Sequence, residues 1–216
     1  MTKAQAPGSP GRTIRQQRSR KTYQALIAAG FKLLERHEFE SITIADLTGV
    51  AGYSVGAFYA RFRSKDEFFA AMVAHHLEER SSAQQQLLAT AAHDELVTEF
   101  VDGIVKYYWK RRRFWRAALM RSTNDPKFWA PIDRNARKFV AAFTDRIETD
   151  IGRSLTRQES TNVRFAIHIV LSTINNRIVN RPRPSLLGRP TFIDNLTRAF
   201  RLVSDYQSLS KDTAAR

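Results

Sequence analysis

Few residue types carry chemistry, and several of them are missing or poorly spaced in this chain. There is no cysteine, which excludes disulfide scaffolds, cysteine-based zinc and iron–sulfur sites, and cysteine nucleophiles. The histidines show no metal-ligand spacing; His75 and Glu79 stand one helical turn apart, as a surface pair would. No HExxH, phosphate-binding loop, GxSxG or dinucleotide fingerprint occurs. No catalytic residue, metal or cofactor is expected, and an enzyme is not the leading reading. What remains is charge: 35 Lys and Arg against 21 Asp and Glu, +14 in 216 residues. Such an excess points to a polyanionic partner, of which nucleic acid is the commonest.

The segment Thr43 to Phe68, TIADLTGVAGYSVGAFYARFRSKDEF, concentrates groups suited to that partner. Ala51 and Gly52 permit a tight turn between two short helices, a helix-turn-helix, and Ser54 can cap the second. Val55, Gly56 and Ala57 give that helix a slim N-terminus able to approach a groove closely. Phe58 and Phe62 would pack inward while Tyr59 and Arg61 face outward. Lys65 opens the next helix, where free N–H groups and the dipole favour a phosphate. Arg12, Arg15, Arg18, Arg20 and Lys21 form a basic stretch that could thread the minor groove or only add non-specific attraction.

Charge and rings also gather later in the chain. Residues 1–70 carry a net +5, leaving +9 beyond, much of it within Lys106 to Arg146. The run Lys110–Arg113 reads either as a solvated loop or as an entrance for an anion. Tyr107, Tyr108, Trp109, Phe114, Trp115, Phe128, Trp129, Phe139 and Phe143 crowd the same region. Most should be core, yet such rings could also line an apolar ligand cavity. Ile104, Tyr108, Trp115, Leu119, Trp129, Phe139, Phe143, Leu171 and Asn175 are the candidate lining.

The elements that must position these groups are helices throughout. Capping signatures start them at Thr43–Asp46, Ser64–Glu67, Thr156–Glu159 and Thr191–Asp194, with Asp125-Pro126 as a fifth. The periodicity predicts a first helix over 18–37, after a disordered basic arm over 1–17 broken by Pro7, Gly8, Pro10 and Gly11. A helix-turn-helix domain is expected over 18–68, a larger helical domain over 69–207, and a frayed tail over 208–216. The helix after Thr156 is apolar on two sides, so it needs more than one neighbour. Phe165 and Ile169, with Phe192, Leu196 and Phe200 of the last helix, are therefore expected at a homodimer interface. No apolar run is long enough to span a bilayer and no secretory h-region opens the chain, so a cytoplasmic location and no membrane partner are expected.

Residues 26–69 resemble the DNA-binding domain of the TetR family of transcriptional regulators, from LIAAGFKLL through FESITIADL, AGYSVGAFYARF and SKDEF. Tyr59-x-x-Phe62-x-x-Lys65 is among the most specific parts of that pattern. The resemblance implies an all-α fold, with a three-helix head followed by a ligand-binding and dimerisation domain. It implies that Thr43 and Tyr59 bind phosphates, that Lys65 binds or steers them, and that Ser54 to Ala57 face base edges. It also implies that the last two helices pair across a dimer. Three positions depart from the family: Glu38 where glycine usually ends the first helix, Gly49 inside the second, and Tyr53 in the turn. A left-handed C-cap at Glu38 would cost roughly 1 kcal/mol.

The expected function is a repressor that a small-molecule effector, an apolar anion, releases from a pseudo-palindromic double-stranded operator. The alternatives are a constitutive DNA-binding protein without effector, and a helical small-molecule enzyme.

Overall fold

Residues 10–180 and 188–209 are described by a computed structural model. Helices follow one another as α1 (Pro10–Leu33), α2 (Ile44–Ala51), α3 (Val55–Tyr59), α4 (Lys65–Thr90), α5 (Leu96–Lys110), α6 (Arg112–Asn124), α7 (Pro126–Ile151), α8 (Arg157–Asn180) and α9 (Arg189–Ser204). A single 3-10 turn, Phe39–Ser41, precedes α2. Among the described residues there is no strand. The chain divides between His75 and His76 into two compact units.

In the first unit local chemistry sets each boundary. Thr43 accepts from Asp46 N–H at 3.1 Å, and Asp46 Oδ2 accepts from Thr43 N–H at 2.8 Å, the reciprocal capping box. Gly52 ends α2 in the left-handed region at φ 73°, and Tyr53 N–H reaches back to Thr48 O at 2.9 Å. That is a Schellman turn, and only glycine takes this conformation without strain. Inside, Phe58, Phe62 and Phe68 form a ring triangle with centroids 5.2–5.5 Å apart. Gly30 lets α1 lie close on α4, because a Cβ there would meet Met72 Sδ at 2.8 Å.

The second unit is held by contacts between distant residues. Phe100, Phe139, Phe143 and Phe200 interlock with centroids 5.2–6.1 Å apart. Helix α8 packs on α9 and α6, and α9 also packs on α5. Arg146 joins the end of α4 to α7: it donates to Leu88 O and Ala91 O and pairs with Asp150 at 2.8 Å. Asp150 also meets His93 Nδ1 at 2.9 Å, and Tyr206 Oη donates to His93 O at 2.7 Å. Burial, reinforced by Asp150, pushes the Tyr206 hydroxyl upward, so it stays a donor.

Several expectations need correction. Helix α1 begins at Pro10, so residues 10–17 are not a disordered arm. Proline at the first helical position lacks only an N–H that would be unpaired anyway; residues 1–9 lie outside the described residues. Helix α9 begins at Arg189 with Gly188 at its cap and no side-chain cap, so Thr191 is a helical residue and not a cap. Glu38 is extended at φ −76°, ψ 149°, so no left-handed strain arises there. Ser208 and Leu209 are helical and Leu209 is buried, so the tail does not fray from 208; residues 210–216 lie outside the described residues. Phe192, Leu196 and Phe200 are 7, 5 and 0% exposed within the single chain. Packing on α8 and α5 covers them within the chain.

Candidate DNA-binding surface and ligand cavity

Ser54 caps α3, accepting from Ala57 N–H at 3.2 Å. It leaves the first turn of that helix at the surface: Ser54, Val55 and Gly56 are exposed, and a Cβ on Gly56 would meet only Ser54 Oγ at 3.8 Å. Tyr59 is 54% exposed, its ring held edge-on to Phe58 at 5.5 Å. Val50 and Tyr53 are exposed beside the turn, a pair of apolar side chains that sequence reasoning had not counted among the candidates. Their signal was present, since core packing of the turn needs neither of them.

Three other candidates are engaged inside the unit. Arg61 donates to Ser19 O at 3.3 Å and to Ala57 O at 2.9 Å, so its guanidinium ties α1 to α3. Lys65 Nζ donates to Glu40 O at 3.0 Å and lies 4.6 Å from the Phe39 ring centroid. The Thr43 hydroxyl gives its single proton to Asp46 Oδ2 at 2.6 Å. These hydrogen bonds from Thr43 hold the Asp46 carboxyl below its ordinary range, so a negative charge stands beside Thr43 at neutral pH.

The rings expected to line a cavity mostly fill space instead. Trp115 is buried between Tyr108 at 4.6 Å, His76 at 5.4 Å and Trp129 at 5.6 Å, and its indole N–H donates to Asn175 Oδ1 at 2.8 Å. Phe139 and Phe143 belong to the four-ring core, and Leu119 and Leu171 are half-buried. Of the expected lining only Ile104 borders the mostly apolar cavity of about 180 Å³ between α4 and α5. Its other walls include Arg80, Gln84, Leu87, Glu99, Phe100 and Tyr107. Burial pushes the Tyr107 phenol up to about 12 against the opposing pull of Arg111. Its hydroxyl is fixed on His76, donating to His76 O at 3.2 Å. A second, more polar hollow of about 360 Å³ runs along α9 beside Arg198, Arg201 and Asp205. Among the described residues no three His, Asp or Glu side chains converge as a metal site would require, and no helix is long and apolar enough to cross a membrane.

Two short capped helices, the second exposed, define the class of arrangement, a helix-turn-helix on an all-α scaffold. Residues 26–72 match the family described as bacterial regulatory proteins, tetR family. An HTH-type transcriptional regulator of Bacillus subtilis, YwcC, is 43% identical over 47 residues, which are 22% of this chain and 21% of that relative. The fold is similar over nearly the whole chain to solved regulators of low identity. A tetR-family regulator from Streptomyces coelicolor aligns with TM-score 0.66 at 16% identity, covering 91% of this chain and 89% of that one. AlkX, a TetR-family repressor from Dietzia implicated in n-alkane biodegradation, aligns with TM-score 0.53 at 15% identity, covering 88% and 95%. Residues 26–72 therefore carry a tetR-family helix-turn-helix segment, and the chain as a whole shares the all-α fold of solved TetR-family regulators, a helix-turn-helix head followed by further helices. The relative and the two solved structures named here are each described as a transcriptional regulator or repressor.

Proposed function

We propose that this regulator is a homodimeric repressor whose two heads, in the cytoplasm, grip successive major grooves of a pseudo-palindromic operator and let go when a small molecule binds. The observation that carries the reading is the bare first turn of α3, where Ser54, Val55 and Gly56 offer backbone and small side chains to base edges. Tyr59 beside it would supply a phosphate contact, Arg61 ties α3 to α1, and Arg61 and Lys65 would add positive potential at the rim, with Thr43 at the start of α2. The dimer would use Phe165, 56% exposed on α8, the neighbouring Ile169, and Leu202, 75% exposed on α9. Half-site spacing makes release sensitive to small displacements: a ligand seated against Arg80 and Gln84 acts on α4, the same helix that begins at Lys65.

The test is selection of binding sites from random duplexes followed by light scattering of the free protein. An enriched inverted repeat, and a mass twice the 24.8 kDa of one chain, are expected. A single unrepeated half-site with a monomeric mass would overturn the dimeric reading. A constitutive DNA-binding protein would show the repeat but keep it in the presence of every compound that binds.

A further inference from the structure

Arg80 is a buried cation with no anion beside it. It is 8% exposed, donates to Tyr108 Oη, and its guanidinium carbon sits 4.9 Å from the Tyr108 ring centroid. No carboxylate among the described residues lies within ion-pair distance; the adjacent Glu79 pairs with Arg111 at 2.7 Å. A guanidinium carries five N–H donors in a planar fork matched to a carboxylate, and a buried charge without a counter-charge is costly. The same residue borders the cavity between α4 and α5, whose remaining walls are chiefly Leu87, Phe100, Ile104 and the Tyr107 ring.

Building on the ligand-responsive function above, we propose that this cavity binds a small monocarboxylate whose apolar body is about the size of one aromatic ring, with Arg80 holding the carboxylate. Size follows from volume: the cavity measures about 180 Å³, and an apolar cavity of roughly 150 Å³ holds benzene. Phe100 and Tyr107 present ring surfaces to the body. Glu99 in the same wall repels a second negative charge, which selects monoanions over dianions. Gln84 supplies an amide beside the carboxylate end.

The test uses the full chain, with thermal shift and calorimetry against benzoate, hexanoate, benzamide, benzylamine and phthalate. Benzoate and hexanoate should bind, with benzamide and phthalate at least tenfold weaker and benzylamine undetected. Arg80→Gln should weaken benzoate roughly tenfold to a hundredfold, the size of a lost charge-assisted hydrogen bond, and leave benzamide unchanged. An equal loss for both compounds would mean that Arg80 only shapes the wall, and would overturn its role. Gly103→Leu is a second variant that needs no charge change. Gly103 lines the cavity and a Cβ there meets nothing within 4 Å, so the added side chain should fill the space and block both ligands. Benzoate binding that survives both substitutions, binding no tighter than benzylamine, or no binding at all overturns the carboxylate site. Retention of the selected duplex is read in parallel. Arg80-dependent benzoate binding that leaves the duplex bound keeps this site and sinks the effector function. Release by a neutral or cationic compound in both wild type and Arg80→Gln keeps the effector function and sinks this site.

Discussion

The two units carry their distinctive residues on opposite sides. In the first, the candidate contacts of α3 lie on the outside, and the rings of Phe58, Phe62 and Phe68 close the inside. In the second, the distinctive groups are inside: a guanidinium at a cavity wall with no carboxylate partner among the described residues, and buried Trp115 with its hydrogen bond to Asn175. The physical consequence is a difference in what substitution can separate. An outward-facing group can be changed with little effect on folding, whereas an inward-facing one contributes to packing and to any ligand site together. Binding and stability should therefore be separable in the head and coupled in the body.

The largest effect expected is in the body. Phe143 is fully buried against Phe100, Phe139 and Phe200. Phe143→Ala should destabilise the second unit by about 3–5 kcal/mol, read by chemical denaturation. Because Phe100 also walls the cavity, benzoate affinity should fall with it. Loss of stability without any change in affinity would break the claim that the two are coupled there.

Gly56→Glu should do the reverse in the head. Glutamate is a better helix former than glycine by several tenths of a kcal/mol, and a negative charge in the first turn complements the helix dipole. Folding should be unharmed, as circular dichroism would show. Yet the carboxylate would stand against the negative groove, and duplex affinity should fall more than a hundredfold, about 3 kcal/mol. An unchanged affinity would remove α3 from the interface.

How much of this was legible in the sequence follows the same division. The capping of α2, α3, α7 and α8 was readable because each depends on residues no more than four positions apart, Thr43 with Asp46 or Asp125 with Lys127. The boundaries of the head's short helices rest on such short-range signals. What the sequence hid depends on partners far along the chain. Phe200 packs on Phe100 and Phe143, ring contacts that periodicity cannot reveal. Arg80 sat in an unremarkable stretch of α4, and only the fold brings Tyr108 and the cavity to it. The engagement of Arg61 with Ser19 O is likewise a contact across 42 positions.

A smaller effect sharpens the claim that the head's surface is separable. Gly49 lies exposed within α2, and a Cβ there meets nothing within 4 Å. Gly49→Ala should stabilise the first unit by about 0.5–1 kcal/mol, by removing the backbone freedom that glycine has in the unfolded chain. The midpoint of denaturation should rise with its slope unchanged. If operator affinity drops at the same time, the DNA-facing surface extends from α3 onto α2.

The smallest effect tests whether the body also has a surface whose contributions stand apart from its interior. Glu159 caps α8, accepting from Thr156 N–H at 2.7 Å, and receives both Arg153 nitrogens at 2.9 and 3.0 Å. The hydrogen bonds from Arg153, followed by that from Thr156 N–H, hold its carboxyl down to about 2 from an ordinary value of 4.5. Because the folded value is the lower one, the unfolded chain takes up protons first as pH falls. The stabilisation is therefore complete above about pH 4.5 and is lost progressively down to about pH 2. The pair is largely solvated, so its worth should be below about 1 kcal/mol. The stability difference between wild type and Glu159→Gln should be present at pH 6 and shrink steadily between pH 4.5 and 2. Glutamine keeps an acceptor for Thr156 N–H but not the charge facing Arg153, so the pH-dependent part isolates the ion pair. Ligand affinity at pH 6 should be the same in both proteins. A difference that persists unchanged at pH 2 would show that Glu159 acts through packing, and that the body has no separable surface at this helix start.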